Sequence, residues 1–177
     1  LFNISAMSFG SLSANAIRAL NKGAKIGGFA HDTGEGSFSV HHAAFGGDII
    51  WEVASGYFGC RKDDGSFCAD RFKATAAEPQ IKMIEIKLSQ GAKPGKGGVL
   101  PAGKVTEEIA RIRGIPAGVD SISPNRHHDI ANVNDLLDRI AYVRELTGKP
   151  VGVKTAIGGW EFINQLCDAV LKRGREY

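Results

Sequence analysis

The stretch Ile81-Lys82-Met83-Ile84-Glu85-Ile86-Lys87-Leu88 runs straight into Ser89-Gln90-Gly91-Ala92-Lys93-Pro94-Gly95-Lys96-Gly97-Gly98-Val99-Leu100-Pro101. Its first half is an apolar run of strand length, and its second half is a loop rich in Gly and Lys. A buried strand opening into such a loop is how parallel α/β enzymes build ligand sites. Glycines let the backbone approach a ligand, and lysines supply positive charge for a phosphate or carboxylate. In barrels and doubly wound sheets these loops lie at the C-terminal ends of strands, where the chemistry is done.

Working outward, the same alternation of strand and helix recurs. Phe2 to Met7 reads as a short strand, and Ser11 or Ser13 caps a helix through Ala14 to Lys25. Gly27-Gly28 stops that helix, and Phe29-Ala30 begins a second strand. Asp48 to Ala54 is strand, Asp70 to Ala77 is a turn or two of helix, and Pro79 ends it. Past the long loop, Thr106 caps a short helix carrying Glu107 and Glu108 in its first turn. Val119 to Ser123 is a strand candidate. Asn132 or Asn134 caps a helix over Asp135 to Leu146, Val151 to Ile157 is strand, and Glu161 to Lys172 is an amphipathic helix.

Strand followed by helix implies parallel strands with crossover connections. Roughly five or six strands fall short of the eight that close a barrel, and an open doubly wound sheet needs no closure. No strand leads into a clean G-x-G-x-x-G, which leaves a dinucleotide fold without support.

Composition narrows the classes. The 43% hydrophobic and 23% charged residues suit a globular protein. A net charge of +3, with basic residues scattered, does not point to nucleic acid. No apolar run approaches the ~20 residues that span a bilayer, and no signal-peptide pattern opens the chain. Cys60, Cys68 and Cys167 are too few and odd in number for a disulfide framework, which fits a reducing, cytoplasmic setting. Cys60 and Cys68 flank Lys62-Asp63-Asp64-Gly65, a hairpin turn because Asp-Gly favours positive φ. Leu1 lies inside an apolar run and Arg175-Glu176-Tyr177 just follows a helical stretch, so a piece of a longer protein is expected.

Three constellations could carry chemistry. Ser5-Ala6-Met7-Ser8-Phe9-Gly10-Ser11-Leu12-Ser13 can present backbone N–H groups to a flat ring or an anion, although taken alone an ordinary capped helix explains it. His31-Asp32-Thr33-Gly34-Glu35-Gly36-Ser37 holds a carboxylate between two glycines, fit for acid/base work or for binding an ammonium, and fit equally for a solvated turn. In Glu85 to Lys93, alternation puts Glu85, Lys87 and Ser89 on one face. A lysine in an apolar strand needs a partner, since an unpaired buried charge is costly. Lys87 is therefore paired with Glu85 or a neighbour, or turned to a bound anion. Lys154 raises the same question, and two such lysines at strand ends would converge on one mouth. His127-His128-Asp129 and His41-His42 lack metal-ligand spacing, so no metal site is expected.

Ser5 to Gly10, Thr33-Gly34-Glu35-Gly36, Leu88 to Pro101 and Ile122-Ser123-Pro124-Asn125-Arg126-His127-His128-Asp129-Ile130 occur in order. Together they resemble the FMN-binding synthase domain of glutamate synthase, more closely its stand-alone bacterial and archaeal relatives. The resemblance covers residues 1–177 as a partial domain, and Gln90-Gly91-Ala92-Lys93-Pro94-Gly95 is its most specific motif. It implies a (β/α)8 TIM-type barrel, incomplete here, with FMN at the C-terminal mouth. It implies an oxidoreductase of the CH–NH2 class in which reduced flavin passes a hydride to 2-iminoglutarate, formed from 2-oxoglutarate and ammonia, giving L-glutamate.

By that likeness Met7, Ser8, Thr33, Gly34 and Gln90 lie near the flavin, and Lys154 faces N1/O2, where a cation stabilises the reduced ring. Lys87, Gln90, Lys93 and Arg113 match positions that hold the keto acid, and Lys87 and Glu35 are the catalytic pair, with Glu35 as acid/base or iminium-stabilising group. An iron–sulfur cluster belongs to the full-length protein, its ligands falling later in sequence. An electron-donor protein or NAD(P)H-linked subunit is the implied partner.

Three departures stand out: Val99 for a glutamine, Thr155-Ala156-Ile157-Gly158-Gly159 after Lys154, and His31-Asp32 for a Ser-Asn pair. They bear on the keto acid more than on the flavin, and leave two alternatives: an FMN barrel acting on another 2-oxo or 2-hydroxy acid, and a non-catalytic barrel subunit.

Overall fold

The computed structural model describes residues 2–174. Leu1 and Arg175-Glu176-Tyr177, on which the reading of the two ends rests, lie outside the described residues. The chain is α/β. In order it forms β1 (Asn3–Ile4), α1 (Ala14–Gly27), β2 (Ala30–Asp32), α2 (Val40–Ala43), β3 (Ile49–Val53), α3 (Ala69–Ala76) and β4 (Ile81–Lys87). Then follow β5 (Val99–Leu100), α4 (Glu107–Arg113), β6 (Ser121–Ile122), α5 (Val133–Thr147), β7 (Val151–Lys154) and α6 (Trp160–Arg173).

Five strands make one parallel sheet in the order β1-β2-β3-β4-β7. Each new strand joins the same growing edge. A doubly wound sheet reverses direction at a switch point, whereas this order is compatible with an incomplete TIM-type barrel.

Capping and packing explain the helices. Ser13 accepts from the Ala16 N–H, Thr106 from Ile109, and Asn132 from Asn134 and Asp135, each satisfying amides that the first turn leaves unpaired. The outward face of the sheet buries Ile49, Trp51 and Ile84 against Phe72 of α3 and Val143 of α5, with Trp51 and Phe72 stacked at 5.0 Å. Ile86 packs against Leu136, Leu137 and Ile140 of α5 and Ala169 of α6.

Two expectations are corrected. Val119 to Ser123 yields only Ser121–Ile122, and it pairs antiparallel with Val99–Leu100 in a separate ribbon rather than joining the parallel sheet. The reason lies in its side chains, since Ser121 and Ser123 are both committed to polar partners, Arg113 and Gly98. The strand expected over Val151 to Ile157 ends at Lys154, where side-chain hydrogen bonds take over. Ala156 N–H donates to Ser89 Oγ at 2.8 Å, and the Ser89 and Thr155 hydroxyls lie 3.1 Å apart.

The Asp64-Gly65 hairpin forms, with Arg61 bridged to Phe67 and the Cys68 N–H donating to Cys60 O at 2.8 Å. Cys60, Cys68 and Cys167 are all free thiols. Among the described residues no helix is long and apolar enough to cross a membrane.

Candidate active site

The C-terminal ends of β1, β2, β4 and β7 surround a cleft of about 370 Å³. Register makes it a charged one. Glu52 of β3 lies opposite Glu85 of β4, and Lys87 of β4 lies opposite Lys154 of β7, so all four point to the side away from the helices. Loop residues Met7, Ser8, Gly34 and Glu35 form one wall, and Gln90, Lys93, Gly98 and Val99 of the long loop form the other. A second cleft of about 280 Å³, lined by Leu88, Ile130, Leu136 and Phe162, has no comparable charged set.

Charges alternate along the floor. Lys87 Nζ lies 3.3 Å from Glu35 Oε2 and 3.4 Å from Glu52 Oε1, while Lys154 Nζ donates to Glu52 Oε2 at 2.6 Å. The 3.4 Å contact is an ion pair without hydrogen-bond alignment, for Glu52 Oε1 has no hydrogen-bond partner. The Glu52 side chain is fully buried, and Lys154 is 28% exposed. Burial alone pulls the Lys154 ammonium down, but its hydrogen bond and charge pairing with Glu52, reinforced by Asp32 and Glu85, carry it above the usual lysine range.

Below this row, Asp32, Glu52 and Glu85 each bring an oxygen within 4.8 Å of the others. Burial first, then the charges of Glu52 and Glu85 and a hydrogen bond with Glu85, push the Asp32 carboxyl up to about 8. Its Oδ1 accepts from the Gly34 N–H at 2.8 Å, so the acid also shapes the turn that presents Glu35. Gly34 has φ +67°, and a Cβ there would sit 2.7 Å from the Ser8 amide nitrogen, so two loops meet backbone to backbone at this wall.

The sequence of this chain matches, over residues 1–169, the conserved region in glutamate synthase. The chain belongs to the glutamate synthase family. It is 42% identical to the glutamate synthase large subunit-like protein YerD of Bacillus subtilis over 172 residues, covering 97% of this chain and 33% of that protein. It is 45% identical over 153 residues to the archaeal-type glutamate synthase [NADPH] of Thermotoga sp. strain RQ2, covering 85% of this chain and 28% of the relative. With the archaeal glutamate synthase [NADPH] of Methanocaldococcus jannaschii it shares 43% identity over 155 residues, 86% of this chain and 28% of the relative. The chain thus spans about a third or less of the length of these relatives.

Within this glutamate synthase-family chain, eight residues singled out from sequence line one cleft: Met7, Ser8, Gly34, Glu35, Lys87, Gln90, Lys93 and Lys154. Two do not. Thr33 is buried beneath the wall, its hydroxyl donating to Gly34 O and accepting from the Glu52 N–H. Arg113 is 2% exposed, donating to Ser121 Oγ at 3.1 Å and Phe9 O at 3.5 Å, behind Glu35 rather than in the cleft.

Lys87 pairs with Glu35 and Glu52, while Glu85 turns to Asp32. His127 has both ring nitrogens engaged, with Lys87 O and the Tyr57 hydroxyl, each at 2.9 Å. His42 Nδ1 faces Ser39 Oγ at 2.8 Å and its Nε2 faces Met7 O at 3.4 Å. Glu52 is the residue that sequence reasoning passed over. The signal was there, because a carboxylate inside Ile49-Ile50-Trp51-Glu52-Val53 needs a partner for the reason that Lys87 does.

Proposed function

We propose that this cleft is half of the active-site mouth of a (β/α)8 barrel in an FMN-dependent, glutamate synthase-like oxidoreductase. Such an enzyme makes L-glutamate from 2-oxoglutarate and ammonia. The observation that carries the reading is the convergence of Lys87, Lys93, Lys154 and Glu35 on one opening at the C-terminal strand ends.

The donor set suits the ring end of FMN. Met7, Ser8 and Gly34 offer a wall of closely apposed backbone, with Thr33 holding the turn from beneath and Gln90 opposite. Lys154 commits one of its three N–H donors to Glu52 and keeps donors for an electron-rich ring edge. When bound, reduced FMN supplies the hydride equivalent that converts the C=N of 2-iminoglutarate to an amine.

The chain's own residues do the rest. Lys87 and Lys93 suit the carboxylates of a dicarboxylic keto acid. Glu35, held against Lys87, lines the same cleft and suits the role of holding the proton of an iminium nitrogen bound there. The wider reading carries an electron donor, protein or NAD(P)H-linked, an iron–sulfur cluster whose ligands lie beyond this chain, and a cytoplasmic setting.

A second reading rests on Val99, which lines the cleft 59% exposed and cannot hydrogen-bond a distal carboxylate. It favours an FMN barrel acting on a less polar 2-oxo or 2-hydroxy acid. Steady-state turnover of the full-length protein separates the two. Ammonia-dependent formation of glutamate from 2-oxoglutarate supports the first. Preference for a monocarboxylic keto acid supports the second. No reduction of any imine or keto acid by flavin-loaded protein contradicts both.

A further inference from the structure

The antiparallel ribbon β5–β6, outside the main sheet, does a specific task beside the cleft. Ser121 of β6 and Ser123, just past its end, are both buried, while Ile122 between them is 62% exposed. Ser123 Oγ accepts from the Gly98 N–H at 2.6 Å, and the Ser123 N–H returns a bond to Gly98 O at 3.0 Å. Ser121 Oγ takes the hydrogen bond from Arg113, whose guanidinium lies 5.0 Å from the Phe58 ring centroid and interacts electrostatically with Glu35. One serine of β6 and another just past its end thus fix two neighbours of the same carboxylate.

The contact at Gly98 is intimate. A Cβ built on this residue would fall on Glu35 Oε1, while Glu35 Oε2 faces Lys87 at 3.3 Å. At Gly97 a Cβ would fall on Ser123 O, so the ribbon has no slack with which to move a larger residue aside. Glu35 itself lies in a turn, 35–36, with no strand to hold it. Its aim is set from outside, by Lys87 on one oxygen and the bare backbone of Gly98 on the other.

We propose that Gly98, seated by Ser123, is a positioning residue for Glu35. The missing side chain is the space that the carboxylate occupies, and the ribbon is the template that keeps the space open. The functional consequence rests on the role proposed above for Glu35. The geometric claim does not.

The test uses the full-length protein with Glu35 observed directly, by a crystal structure or by carboxyl-carbon NMR, in Gly98→Ala and Ser123→Ala. The carboxylate is expected to leave Lys87 in Gly98→Ala, with turnover lowered about 100-fold, the usual cost of a misplacement near 1 Å. Ser123→Ala, which adds no bulk, keeps the protein testable if Gly98→Ala does not fold, and is expected to broaden or shift the same signal. Adding Glu35→Asp to Gly98→Ala shortens the acid and makes room, so the double variant is expected to turn over faster than Gly98→Ala alone. A general packing defect would not be repaired this way. An unmoved Glu35 carboxylate in both single variants overturns the proposal. A moved carboxylate in a protein without keto-acid activity upholds it and sinks the proposed reaction instead.

Discussion

The two faces of the same parallel strands both bury side chains, yet they are built from opposite chemistry. Outward, Ile49, Trp51, Ile84 and Ile86 are buried against α3, α5 and α6. Inward, one residue out of step, Asp32, Glu52, Glu85, Lys87 and Lys154 crowd the floor of the cleft. Burying charge is costly even when it is paired, and an apolar replacement of similar size is often no less stable. The outward face therefore holds the fold, and the proposed function gives the inward face its reason in a bound ligand.

The largest expected effect separates these two kinds of burial. Glu52→Ala takes the ion-pair partner from Lys154 and one of two partners from Lys87, and is expected to cost about 3–5 kcal/mol in denaturant unfolding, similar to Trp51→Ala on the other face. The rescues differ. Combining Glu52→Leu with Lys87→Met and Lys154→Met is expected to recover most of that loss while abolishing function. No second change near Trp51 should do the same. A charged face as essential to folding as Trp51 would show no such recovery.

Asp32 gives the next test. Its folded-state carboxyl is raised from 3.8 to about 8, so between those values the native state holds a proton that the unfolded chain gives up. Stability from this group is present at low pH and lost as pH rises toward 8, on the order of 1 kcal/mol per pH unit. Asp32→Asn is expected to flatten that decline in urea midpoints measured from pH 5 to pH 9. An identical slope in the variant would assign the decline elsewhere.

At the mouth, Lys87→Ala in the full-length protein is expected to raise KM for an anionic keto acid about 10- to 100-fold, the worth of a charged hydrogen bond. An unchanged KM would remove Lys87 from substrate binding.

The smallest effect belongs to the outward face, where His31 and His42 are fully buried with their rings 5.3 Å apart. Burial lowers both from 6.5 to about 4, and for His42 the neighbouring His31 adds to it. Below pH 6.5 the unfolded chain takes up protons that the native state refuses. Stability is therefore full above pH 6.5 and falls toward pH 4. Going from pH 6.5 to 5.5 should cost about 1 kcal/mol per histidine, and His31→Phe should remove its share.

Much of this was legible in the sequence because it follows local rules. Helix caps at Ser13, Thr106 and Asn132, and the apolar period of Ile81-Lys82-Met83-Ile84-Glu85-Ile86, depend on neighbours within a few residues. The lone charges Lys87 and Lys154 could be flagged, since a buried ammonium demands a partner. Which partner was not legible. Lys87 finds Glu35, 52 positions away, through the turn after β2, and no spacing rule carries that information. The β5–β6 ribbon was hidden for a like reason, being two residues on each side, with Leu100 its one residue in the apolar core and Ser121, Ser123 and Gly98 supplying polar ties. Arg113 was assigned by likeness of position, and only the packing reveals that Ser121 and Phe9 hold it behind Glu35.

The most direct test of the central claim is the visible absorbance spectrum of the full-length protein, purified without added cofactor, beside its Lys154→Ala variant. The proposed function predicts flavin bands in the parent, released as FMN on denaturation, and weaker retention in the variant. A colourless parent that also fails to take up added FMN would contradict it, and leave the charged inner face without the cofactor it is proposed to serve.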